Sequence, residues 1–244
     1  MKASIEQLIQ LPGVWRGGEL EHAQQPAVPT GYPALDAELP GGGWPSGTLS
    51  EVLHDGVGIG EVTFLAGALA RASEGSRLMA WINPPHLPYA PALAQAGITL
   101  DRCLVVRPAN REDALWAAEQ SLKSGACGAV MLWLDETAAR SHDEYAWLRR
   151  LQMSAQAGRS MAILFRATAA ERLSTPAHLR VVLTREEGVL KARIPKRRGP
   201  SMARPIALGT MMPRRNVSFA REKLQAPRPA PAAVPARAFH LVGR

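Results

Sequence analysis

Gly41–Leu69 reads G-G-G-W-P-S-G-T-L-S-E-V-L-H-D-G-V-G-I-G-E-V-T-F-L-A-G-A-L. Turn residues lead into a short strand at about Leu49–Leu53, then a glycine loop at Asp55–Gly60, then a helix opening near Glu61. A strand, a glycine loop and a helix in that order present backbone N–H groups and a helix N-terminus to a phosphate. The working form of such a loop is G-x-x-x-x-G-K-[ST]. Counted back from Gly60, the same frame here reads D-G-V-G-I-G-E-V, Asp55 to Val62. Gly56, Gly58 and Gly60 keep the shape, but Glu61 stands where a lysine reaches the β/γ-phosphates and Val62 where a hydroxyl holds Mg²⁺. The outline of an anion cradle is kept and its charge is reversed.

Outward from this unit the chain alternates strands and helices. Val62, Leu65, Ala68, Leu69 and Ala72 recur at helical spacing up to Gly75. Near-continuous apolar strands are predicted at Arg77–Asn83, Cys103–Val106, Gly128–Leu134 and Met161–Phe165, as expected when both faces are covered. Between them lie a small helix at Tyr89–Ala96, a helix capped by Asn110 and one marked by Tyr145, Leu148, Leu151 and Ala155. The Asn110 helix directs Leu115, Ala118 and Leu122 inward and a Glu119→Lys123 pair outward. His178–Thr184 and Val189–Ile194, joined by R-E-E-G, read as a hairpin. This order predicts an α/β fold: a mostly parallel sheet covered by helices on both faces, with an antiparallel hairpin at its C-terminal edge.

Composition sets the bounds. With 244 residues, 46% of them apolar, there is enough material for one sizeable core and an extension. No apolar run is long enough for a membrane span and the first residues lack a secretory h-region, so a cytoplasmic protein is expected. Cys103 and Cys127 read as small buried hydrophobes. The net charge of +8 is unevenly placed. Residues 1–190 hold 16 Lys+Arg against 20 Asp+Glu, whereas residues 191–244 hold 13 against Glu222 alone. The division is therefore an N-terminal helix and linker at 1–29, a core at 30–195 and a basic, Pro-rich, partly disordered tail at 196–244. Trp15 in the linker serves either to anchor the arm on the core or to meet a partner.

The string T-G-Y-P-A-L-D-A-E-L-P-G-G-G-W-P-S-G-T-L-S-E-V, from Thr30 to Val52, resembles the entry to the core domain of RecA-like ATPases. W-R-G, D-G-V-G-I-G-E, P-P-H-L-P-Y-A-P-A-L and L-W-A-A-E-Q-S-L-K-S-G-A-C-G-A-V are similar, more narrowly, to the ImuA family. These are RecA-like, partly SulA-like proteins associated with damage-induced translesion DNA synthesis. The similarity covers about residues 5–200 and implies a RecA-like P-loop core with degenerate Walker motifs. It also implies the departures. Pro85 stands where a catalytic glutamate activates water, and Trp133 where an aspartate faces Mg²⁺, with Asp135 two residues on. A lysine–phosphate contact is worth about 4 kcal/mol at 4 Å and an effective dielectric near 20, so a carboxylate in its place opposes binding by a comparable amount. No catalytic residue, cofactor or metal is therefore expected, and Asp55, Gly56, Gly58, Gly60, Glu61 and Val62 are a cradle without its chemistry.

The function implied is that of a non-catalytic adaptor in the SOS response, a pseudo-ATPase of the mutasome. Its implied partners are an ImuB-type inactive Y-family polymerase, RecA and an error-prone C-family DNA polymerase complex. Two alternatives stand beside it: a residual RecA-type ATPase, and a SulA-like cell-division inhibitor that binds FtsZ. Lys196, Arg197, Arg198, Arg214, Arg215, Arg221 and Lys223 of the tail have three readings: non-specific DNA contact, docking on an acidic protein, or solvation. Phe239, Leu241 and Val242 form a short apolar motif beyond them. His86 reads as a loop histidine satisfied by backbone, and Asp135, Glu136, His142 and Asp143 as a solvated acidic cluster rather than a metal site.

Overall fold

The computed structural model describes residues 26–134 and 143–209. Ten strands lie in them: β1 (Ala27–Val28), β2 (Trp44–Pro45), β3 (Thr48–Leu53), β4 (Leu78–Ile82), β5 (Cys103–Val106), β6 (Cys127–Trp133), β7 (Met161–Arg166), β8 (Leu179–Glu186), β9 (Val189–Lys196) and β10 (Met202–Leu208). The α-helices are α1 (Pro33–Asp36), α2 (Glu61–Ser73), α3 (Ala90–Gln95), α4 (Arg111–Lys123) and α5 (Glu144–Gly158). The main sheet has eight strands in the order β10-β9-β8-β3-β7-β6-β4-β5. From β8 to β5 all neighbours are parallel, and β8-β9-β10 is an antiparallel run.

Side-chain alternation explains why helices cover both faces. Met79 and Trp81 of β4, Met131 and Trp133 of β6, and Ile163 and Phe165 of β7 share one core with Phe64, Leu65 and Leu69 of α2. Ala80, Ile82, Val130, Leu132, Ala162 and Leu164, the intervening positions, share another with Leu115 and Leu122 of α4 and Leu148 and Leu151 of α5. The Asn110 side chain accepts from the Asp113 N–H at 2.8 Å, so α4 begins where the cap was read.

Two placements differ from the reading of the sequence. Glu119 does not face water: it is 3% exposed, held by Lys123 and by Arg150 of α5, each at 2.5 Å. The sheet also continues past residue 195. Arg197 is bound to Glu38 at 2.8 Å and Leu208, 4% exposed, pairs with Leu190, so residues 196–209 form part of the folded body. The N-terminal helix, Trp15, Asp135, Glu136, His142, Arg214, Arg215, Arg221, Lys223, Phe239, Leu241 and Val242 lie outside the described residues.

Candidate functional site

The glycine loop joins β3, in the interior of the sheet, to α2. Gly56, Gly58 and Gly60 have φ of 74°, 78° and 107°, which L side chains seldom adopt, so the loop needs its glycines to keep this path. Gly60 has a second reason. A Cβ there would lie 2.8 Å from Nη2 of Arg185. Arg185, near the end of β8, donates to the Ile59 carbonyl from Nε at 2.9 Å and Nη2 at 2.7 Å, and to the Gly188 carbonyl at 2.7 Å. It ties the β8–β9 turn to the loop.

Glu61 is the first residue of α2 and is 5% exposed. Its Oε2 accepts the Gly60 N–H at 3.2 Å. The carboxylate thus sits at the positive end of the helix dipole and uses one of the loop's own donors. Val62 is half-buried against the core. Asp55, at the start of the loop, accepts from the Thr168 hydroxyl at 2.6 Å and the Thr168 N–H at 3.1 Å. His54, just before it, sets Nδ1 2.8 Å from the Gly56 carbonyl.

A cavity of about 330 Å³ opens beside the loop. Its lining joins Gly58, Gly60, Glu61 and Val62 to Trp81, Trp133, Leu93 and the loop Pro84–Tyr89, which holds Pro85 and His86. The positions singled out by the loop frame, 61 and 62, and by resemblance, 85 and 133, therefore meet around one hollow. Trp133 stacks on Phe165 at 4.4 Å between ring centroids and faces Trp81 at 6.0 Å. Its Nε1 is buried with no hydrogen-bond partner. A Mg²⁺-bound triphosphate does not fit this donor set. It would meet a carboxylate at the helix start and an indole where a metal-side oxygen is needed.

Beneath the loop, on β3, lies a buried ion-pair network. Glu51 is fully buried and bridges Arg166 at 3.1 Å and Arg180 at 2.7 Å. Arg166 also pairs with Glu144, at the start of α5. Arg180 donates further to the carbonyls of Glu171 and Leu173 at 2.8 and 3.1 Å. The sequence reading missed this group. Its one visible sign was a charged residue in the middle of the apolar strand L-S-E-V-L.

Of the basic residues expected to bind a partner, Lys196 donates to the Thr175 carbonyl at 2.7 Å. Burial, followed by the nearby Arg180, lowers its pKa below the usual lysine value. Arg197 is closed into its pair with Glu38, its side chain 7% exposed, and Arg198 lies beside His178 in a small hollow. Among the described residues, no group of three or more His, Cys, Asp or Glu is placed to hold a metal ion. No described helix is long and apolar enough to cross a membrane.

Residues 47–162 match the family model described as cell division inhibitor SulA. SulA of Edwardsiella piscicida is 33% identical over 96 residues, covering 39% of this chain and 54% of that protein. RecA of Cutibacterium acnes is 32% identical over 119 residues, covering 49% of this chain and 34% of that protein. RecA of Salinispora arenicola is 34% identical over 133 residues, covering 53% and 37%. The chain thus spans about a third of the length of these RecA proteins and about half of the SulA relative. Residues 47–162, which carry the glycine loop, strands β3 to β6 and the lining of the cavity, are SulA-like, and the chain is in part RecA-like.

Proposed function

We propose that this chain is a non-catalytic, RecA-like adaptor of the SOS response, acting by binding in error-prone translesion DNA synthesis. The observation that carries the reading is the Glu61 carboxylate, buried at the start of α2 on the loop's own N–H. A site that already holds an internal anion, with an indole and a proline where metal and water chemistry would sit, supports a pseudo-ATPase that works through its surfaces. The similarity to RecA and SulA proteins supports the placement in the damage response. The partners are an ImuB-type inactive polymerase, RecA and the C-family polymerase complex. Pull-down with purified ImuB-type protein and RecA tests this, and no retention of either by the full chain would sink the adaptor. A titration with Mg²⁺-ATP followed by phosphate release tests the missing catalysis; tight binding with turnover would restore an enzyme.

The match over residues 47–162 favours a second reading, a SulA-like inhibitor that binds FtsZ. Its test is overexpression without DNA damage. Filamentous growth supports the inhibitor, and normal division supports the adaptor.

A further inference from the structure

The cavity beside the glycine loop is apolar in its walls and also at its rim. Trp81, Trp133, Leu93 and Pro84 form the walls, while Val57, Leu87 and Tyr89 stand 56%, 69% and 72% exposed around the mouth. Exposed apolar surface costs roughly 25 cal/mol per Å², and a hollow of this size with aromatic walls takes an apolar anchor side chain. It offers an anion no lysine or arginine among its lining residues. We infer that this cavity docks the chain's own residues 237–242, R-A-F-H-L-V, with Phe239 as the anchor.

Geometry brings the end of the last described strand to the side of the site. Because β9 and β10 alternate in direction, the end of β10 lies at the same sheet edge as the glycine loop. Leu208 pairs with Leu190, whose Cδ2 lies 3.9 Å from where a Cβ of Gly60 would stand. Three strand spacings, about 15 Å, separate β10 from β3. The 29 residues from 210 to 238 reach up to about 95 Å when extended, so length does not limit docking.

Charge points to the same occupant. The acid in the lining is Glu61. Residues 223–244 contain Lys223, Arg228, Arg237 and Arg244 and no acid. Tethering supplies an effective concentration in the millimolar range, so a weak apolar anchor is enough. A partner that enters the cavity must then displace the segment, which makes docking a brake on the adaptor. The inference rests on the cavity and on the length of chain beyond β10, and stands whether or not that adaptor reading holds.

The test places benzoylphenylalanine at position 239 of the full chain and maps photo-cross-links by mass spectrometry. Cross-links within one chain to residues 57–62 or 84–93 are expected. Leu87→Asp, at an exposed rim position, should lower their yield about fivefold, the equivalent of roughly 1 kcal/mol. Cross-links elsewhere, none at all, or only between two chains would overturn the assignment, as would an undiminished yield in Leu87→Asp. Partner pull-down reads separately, so failure of one idea does not mimic failure of the other.

Discussion

At the scale of single residues, Glu61 and Glu51 show two ways of keeping a carboxylate inside an α/β core. Glu61 is stabilised by the start of α2 and by the Gly60 N–H. Glu61→Gln keeps the shape and removes the charge, so it should cost about 0.5–1 kcal/mol and lower the melting temperature by roughly 2–4 °C. An unchanged melting curve would remove the helix start from the account. Glu51 is different because its partners are themselves buried. Glu51→Ala leaves Arg166 and Arg180 without their shared carboxylate and should cost about 3–5 kcal/mol in urea unfolding. A loss under 1 kcal/mol would mean that water or Glu144 takes over. Glu171 adds a pH dependence. The hydrogen bond from Arg193 holds its pKa below the usual glutamate value, against an opposing push from burial. The unfolded chain binds this proton more readily, so the stabilisation is full above about pH 4.3 and is lost as pH falls through the lowered value. Glu171→Gln should therefore flatten the acid limb of the stability curve below about pH 5, and an unchanged slope would refute the assignment.

At the scale of elements, most of the architecture was legible because local signals agreed with burial. Asn110 announces α4, the glycines announce the loop, and β4, β6 and β7 are apolar on successive positions because helices lie on both faces. The third antiparallel strand was not legible. P-S-M-A-R-P-I-A-L carries two prolines and an arginine, and proline reads as a strand breaker. On an edge strand one side needs no N–H, and the register of β10 shifts between Met202 and Ile206, around Pro205. The partners of Glu51 were hidden for another reason: Arg166 and Arg180 are 115 and 129 residues away in sequence. Gly158 shows the same limit. Nothing local marks it beyond a helix end, yet a Cβ there would lie 1.9 Å from the Leu122 carbonyl oxygen, where α5 closes on the end of α4. Gly158→Ala should force the two helix ends apart at a cost of about 1–3 kcal/mol or more, read as a lowered urea midpoint. An unshifted midpoint would show that this joint yields freely.

At the scale of the whole molecule, the chain divides by charge at one place and by structure at another. Charge changes sign near residue 190, at the start of β9, whereas the sheet runs on to Leu208. Two of the basic residues that gave the tail its character, Lys196 and Arg197, thus contact the folded body, at the Thr175 carbonyl and at Glu38. The salt dependence of any sequence-independent contact with DNA would report how many of the cations in residues 191–244 take part. The boundary also decides how the tail should be removed. Ending the chain at residue 196 strips β10 from β9, uncovers Leu190 and Ile194, and deletes Leu208 from the core. Burial of one leucine alone is worth about 1.5–3 kcal/mol, so this cut should lower the melting temperature by roughly 10 °C or more, at a few degrees per kcal/mol. Ending it at residue 209 keeps every described strand and the Arg197–Glu38 pair, and should cost far less. If the two truncations melted together, β10 would contribute nothing to the body, and residue 195 would be the true end of the core.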